Sequence, residues 1–212
     1  MNVARILYPV KVLGPGNRIG IWLCGCSRGC VGCSNPELWK KQKKYEISVD
    51  RLVDIISHLA REHQVDGFTI TGGEPFEQAQ ELEMFLSRIR NISSDILVYT
   101  GFERAEIEDI IQNAADVLSY ITVLIDGPYI EESNINVALR GSSNQQIHIL
   151  DEQYSELYES YLQSYQNRIQ NFTTMDGIVS VGIHKPGFTP RGNVMRKDDE
   201  FYGNNLGGDC IG

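Results

Sequence analysis

GFTITGGEPFEQAQELEMFLSRIRNISSDILVYTGF, residues 67–102, decides the fold. Gly67 to Thr71 reads as a short strand, and Ile96 to Thr100 reads as another. Between them Ala79, Leu82, Phe85, Leu86 and Ile89 recur at helical spacing, one apolar stripe on an otherwise polar helix. A strand, a helix and a second strand in so short a run make a crossover unit, whose two strands lie parallel.

The same alternation continues on both sides. Upstream, Ser48 is placed to cap a helix carrying Val49, Leu52, Val53, Ile56, Leu59 and Ala60 at the 3.6-residue period. Further back, Ile6 to Leu13 and Ile19 to Leu23 read as strands flanking the Gly14-Pro15-Gly16 turn. Downstream, Glu103 to Ala115 reads as a third helix and Tyr120 to Ile125 as the strand after it. The expected class is α/β, a parallel sheet with crossover helices. Ligands bind such sheets at the carboxyl ends of the strands. The loops that leave those ends begin at Cys24, Gly72, Thr100 and Asp126, so they gather on one rim.

The first of these loops holds four of the chain's five cysteines, in CGCSRGCVGCSNPELW from Cys24 to Trp39. Cys26, Cys30 and Cys33 have the spacing C-x3-C-x2-C, and a thiolate-rich loop selects soft metals or an iron-sulfur cluster. A [4Fe–4S] cluster normally takes four cysteines, so three leave one iron open to a small molecule. Cys24 as a fourth thiolate gives a competing reading, a closed tetrahedral zinc site and a non-catalytic zinc-binding module. A disulfide framework suits a secreted chain better than this one.

Bulk properties narrow the setting. The chain has 212 residues, 42% hydrophobic and 22% charged, as ordinary globular domains do. One catalytic domain over residues 1–185 is expected, with a Gly-, Pro- and Asn-rich flexible tail over 186–212 that contains Cys210, read as a free thiol. The apolar stretch at the amino terminus is broken by Pro9 and Lys11, a poor signal peptide, and no run is long enough to span a bilayer. A cytoplasmic protein without membrane or nucleic-acid partners is expected, the latter because the net charge is −9. Lys40, Lys41, Lys43 and Lys44 are a local exception directly after the cysteine loop. The run is either a solvated stretch or a docking patch for an acidic electron donor.

Two glycines followed by Glu74 bring backbone and a carboxylate to a strand end, which suits a ligand bearing an ammonium group. Taken together, GCSRGCVGCSNPELW, TGGEP, VYTGF, LIDGPYI and LRGSSNQ resemble, in that order, the activating enzymes of anaerobic ribonucleotide reductase, within the radical S-adenosylmethionine superfamily. The likeness runs over about residues 1 to 150. It implies an incomplete, TIM-like barrel with an open side. It also implies that Cys26, Cys30 and Cys33 hold a [4Fe–4S] cluster whose open iron takes S-adenosyl-L-methionine, with Cys24 a bystander. By position Gly32 and Ser34 line that cofactor, Gly73 and Glu74 meet its amino group, Gly72 is a further cofactor-binding position, and Asp126, Arg140, Ser142 and Asn144 lie near it.

The activity implied is reductive cleavage of S-adenosylmethionine to a 5'-deoxyadenosyl radical, which takes a hydrogen atom from a glycine Cα of the reductase. Partners implied are that glycyl radical enzyme and a flavodoxin-like or ferredoxin-like electron donor. An activase of another glycyl radical enzyme and a peptide-modifying radical enzyme are the near alternatives. His58, His63, His148 and His184 are given no role. Tyr154, Leu157, Tyr158, Tyr161, Leu162, Tyr165 and Ile169 form a stripe read as a core-packing helix, and Gly177 to Ile183 reads as a final strand.

Overall fold

The computed structural model describes residues 1–165, 167–174 and 177–187. A six-stranded sheet runs in chain order from β1 (Val3–Val10) and β2 (Arg18–Leu23) through β3 (Gly67–Gly72) and β4 (Ile96–Tyr99) to β5 (Val123–Asp126) and β6 (Gln146–Ile149). β2 to β5 are parallel, as the crossover units require, while β1 and β6 pair antiparallel at the two edges. The parallel strands are in register, so their carboxyl ends, Leu23 beside Gly72 and Tyr99 beside Ile125, form one rim.

Period-two alternation splits the sheet into two faces. Ile19, Ile21 and Leu23, Phe68 and Ile70, Ile96 and Val98, and Leu124 pack against α1 (Val49–Glu62), α2 (Ala79–Ile89), α3 (Arg104–Ile110) and α4 (Ala114–Ser119). The expected cap is present, with the Arg51 N–H donating to Ser48 Oγ at 3.2 Å. The helix expected over Glu103 to Ala115 is two helices. Ile111 takes extended backbone and the Asn113 amide donates to Glu83 of α2, so the chain turns there before α4 begins. Strand β1 starts and ends three residues earlier than expected, because its ladder with β2 runs from Val3 to Val10 and leaves Val12 and Leu13 in the turn.

The other face carries Trp22, Leu97, Tyr99, Val123 and Ile125. It is covered by α5 (Ser155–Ser164) and the antiparallel hairpin β7 (Ile169–Thr174) with β8 (Gly177–Gly182). The tyrosine stripe is therefore helical only to Ser164; Tyr165 ends it and Ile169 opens β7. Burying apolar side chains from this segment contributes on the order of 2 kcal/mol each, for Phe172, Val179 and Val181 alike.

One buried polar cluster ties the two layers together. Arg18, fully buried in β2, pairs with Asp95 at 2.6 Å and donates through Nε to Thr69. Tyr158 of α5 donates its hydroxyl to Asp95 Oδ1 at 2.6 Å. Removing one member of such a cluster leaves a buried charge short of partners, so α5 is bound to the core by more than apolar contact. Among the described residues no helix is long and apolar enough to cross a membrane. The expected tail, from 188 on, and with it Cys210, lies outside the described residues.

Candidate iron-sulfur site at the sheet rim

The cysteine loop leaves β2 and returns over its own start. Gly25 N–H donates to Leu38 O and Cys26 N–H to Trp39 O, each at 2.8 Å, which closes residues 25–39 into a loop. Leu38 is fully buried against Trp22, Phe172, Val179 and Val181, so the hairpin packs behind the loop's exit. The outer part is pinned to its neighbours. Ser27 N–H donates to Glu77 at 2.6 Å, and Arg28 stacks its guanidinium 4.0 Å from the Phe102 ring while pairing with Glu106 at 2.9 Å.

Within the loop the four thiols divide. Cys24 is fully buried and donates its Sγ–H to Lys40 O at 2.9 Å, away from solvent. Cys26, Cys30 and Cys33 are half-buried and free. Burial pushes the Cys26 and Cys33 thiols up, against backbone N–H groups of Arg28 and Gly29 on the one and of Asn35 on the other, which favour thiolates. Asn35 N–H lies 3.4 Å from Cys33 Sγ. The buried indole N–H of Trp39 lies beside the Cys33 sulfur and, like Asn35 N–H, favours its thiolate. An indole N–H can only donate, and one aimed at this loop suits a thiolate or sulfide. Among the described residues no three His, Cys, Asp or Glu side chains gather as ligands of a single metal ion. In a cubane each thiolate binds a different iron, so no such single focus is needed. The donor set fits an iron-sulfur cluster.

Glu74 is the hub of the rim. Only 2% exposed, its carboxylate accepts from Phe76 N–H at 3.1 Å, from the Thr100 hydroxyl at 2.7 Å and from Gly101 N–H at 2.7 Å. Burial raises its pKa to about 7 in spite of these donors and of nearby Arg28. Gly73 lies against the cysteine loop so closely that a Cβ there would stand 2.3 Å from Gly25 O, and Glu74 N–H donates to that carbonyl at 2.7 Å. Gly72, with φ +103°, would likewise press a Cβ to 2.6 Å from Leu23 backbone. Gly32, with φ +73°, sits beside the Glu131 carboxylate, which brings the cysteine loop next to the segment after β5. Ser34 is half-buried on the same loop.

The four remaining expected positions form a brace at the end of β5. Asp126 accepts from Arg104 N–H at 2.7 Å, anchoring the start of α3, and lies 3.1 Å from His148 Nε2. Arg140 donates to Gln145 O, Ser142 Oγ accepts from Ile130 N–H, and Asn144 donates to Pro128 O. Gln145, which sequence reasoning missed, organises the brace. Its Oε1 accepts from Gly141 and Ser142 N–H while its Nε2 donates to Gly127 O. Arg28 and Gln78 were also missed; Gln78 is buried and joins Cys24 O to Asn2 N–H. Their only sequence signal is proximity to the cysteine and GGEP motifs.

The rim and its three-thiol loop match one class of protein. The model of the 4Fe-4S single cluster domain family matches residues 12–148, so the chain carries that domain and belongs to that family. Anaerobic ribonucleoside-triphosphate reductase-activating proteins are similar over most of their length. That of Enterobacteria phage T4 is 31% identical over 152 residues, 69% of this chain and 93% of the relative. That of Vibrio cholerae is 32% identical over 150 residues, 66% and 94%, and that of Escherichia coli K12 is 30% identical over 154 residues, 68% and 96%. The chain belongs to the family of anaerobic ribonucleoside-triphosphate reductase-activating proteins. Helix α5 and the β7–β8 hairpin follow the end of the domain match.

Proposed function

We propose that the chain is a radical activase of anaerobic ribonucleoside-triphosphate reductase, with a [4Fe–4S] cluster held by Cys26, Cys30 and Cys33. The carrying observation is the division of the thiols, three half-buried on one loop and Cys24 turned away to Lys40 O. When bound, the cluster and S-adenosyl-L-methionine together supply one-electron cleavage to methionine and a 5'-deoxyadenosyl radical, which takes a hydrogen atom from a glycine Cα of the reductase. The sheet is read as an incomplete barrel of the radical S-adenosylmethionine type, and residues 1–185 as its catalytic domain.

The chain's own residues bind, orient and exclude water. Gly72 and Gly73 bring backbone to the cofactor's amino group, and Glu74, fixed by Thr100, Gly101 and Phe76, sets a negative charge behind it. A carboxylate with a raised pKa gains most from an incoming ammonium, which favours its charged form. Gly32 and Ser34 line the cofactor on the loop side. Arg140 and Ser142, joined through Gln145, and Asp126 and Asn144 beside them shape the far wall. Because α5 and the hairpin cover the second sheet face, the partner's glycine reaches the site from the rim. A reducing cytoplasm suits the free thiols, and the chain's charge disfavours nucleic acid.

Anaerobic incubation with S-adenosylmethionine, dithionite and the reductase tests the reading. Formation of 5'-deoxyadenosine with a glycine-centred electron spin resonance signal on the reductase is expected; 5'-deoxyadenosine without that signal would mean a different substrate.

A further inference from the structure

The cysteine loop has two sides. Arg28, Ser27 and Gly32 face the strand ends through Phe102, Glu106, Glu77 and Glu131. The returning arm runs the other way into Lys40, Lys41, Lys43 and Lys44, all exposed. These four of the chain's 19 cations fall within five residues of a chain with net charge −9. Among the described residues no carboxylate forms an ion pair with Lys40, Lys41 or Lys43. Of the nearby acids, Glu37 is taken by Arg5, and Glu46 and Glu81 line one pocket with Lys41 without forming an ion pair to it. A concentrated charge of the sign opposite to the rest of the surface attracts an acidic partner and orients it.

The run is also joined to the cysteine loop through Lys40 and Trp39. Lys40 O accepts from Cys24 Sγ, Trp39 O accepts from Cys26 N–H, and the Trp39 indole lies beside Cys33. We propose that Lys40, Lys41, Lys43 and Lys44 are the docking site of an acidic one-electron carrier protein, which passes its electron to the cluster through the Trp39 arm. This rests on the cluster assigned under the proposed function. The step makes and breaks no bond: the carrier's reduced centre loses one electron and the cluster gains it. Docking on this side leaves the rim free, so carrier and glycine-bearing partner bind different faces of one loop.

The test uses the full chain with its cluster loaded anaerobically, as wild type and as the double variant Lys40→Glu, Lys43→Glu. Reduction is followed by stopped-flow bleaching, with a reduced acidic flavodoxin as donor. At low ionic strength the variant's second-order rate constant is expected to fall about tenfold or more. The two proteins should converge as salt is raised and the Debye length shrinks to a few ångströms. Reduction by dithionite at high salt, where local charge is screened, should differ between them by less than about twofold, since a small ion requires no docking patch. Independently of any activity, carbodiimide coupling of flavodoxin carboxylates to wild-type protein should map to these lysines. Equal rates with flavodoxin at low salt, or couplings that map elsewhere, would overturn the docking site. Failure of dithionite to reduce wild type would instead count against the cluster itself.

Discussion

Replacing Gly73 by alanine adds one methyl group where the structure leaves no room. The new Cβ would stand 2.3 Å from Gly25 O and 3.0 Å from Gly25 C and N, all of them backbone atoms of the cysteine loop. Ordinary van der Waals contact begins at 3.4 Å, so the loop and the GGEP turn must part by about 1 Å. That movement also stretches the 2.7 Å bond from Glu74 N–H to Gly25 O, which aligns the thiols with the Glu74 hub. A misplacement of about 1 Å between reacting groups costs roughly 10²-fold in rate. Cleavage of S-adenosylmethionine under dithionite, normalised to bound iron, should therefore fall by about that factor in Gly73→Ala. The iron content should stay near wild type, because no thiol is removed. Cleavage within about twofold of wild type would refute the reasoning, since the two elements would then tolerate a separation that the mechanism forbids.

Other consequences are separable. Cys24→Ser should retain the cluster's absorption, whereas Cys26→Ser, Cys30→Ser or Cys33→Ser should each abolish it; equal loss at Cys24 would contradict the assignment of the buried thiol. Tyr158→Phe removes one hydrogen bond to Asp95, which keeps Arg18, so urea unfolding should show a loss of about 2 kcal/mol; no change would mean that α5 is not part of the cooperative unit. Glu74 has its folded pKa raised from 4.5 to about 7, so the stability it contributes is complete below pH 4.5 and is lost as pH rises through about 7. The stability of wild type relative to Glu74→Gln should accordingly decline by about 3 kcal/mol between pH 4.5 and 8, and a flat difference would refute the burial of its charge.

What the sequence discloses and what it conceals follow one physical line. Helices α1 and α2 and strands β2 to β4 are legible because their apolar residues repeat at the local period, and Ser48 marks a start with its own side chain. The cysteine loop is legible for the same reason: its chemistry lies in ten adjacent residues. Strand β6 is four half-exposed residues that pair antiparallel with β5, and only that partner makes it a strand. Ile169 continues the tyrosine stripe at helical spacing, yet it packs in a hairpin whose partner strand comes later. The turn that follows Ile111 is held by Asn113 bonding Glu83, thirty residues away. At the site the pattern is the same. GGEP can be seen in the chain, but Glu74 becomes a hub only through Thr100 and Gly101; at the other end of the strands Arg18 meets Asp95 and Tyr158 only once the chain has folded. Gln145 is an unremarkable glutamine until the β5 and β6 loops are brought together.

The central claim is a cubane on three cysteines with one iron left for S-adenosylmethionine. Iron, zinc and acid-labile sulfide should be measured in protein purified without oxygen. About four iron and four sulfide per chain are expected, with an electron spin resonance spectrum that shifts when S-adenosylmethionine is added. One zinc per chain with no sulfide would contradict it.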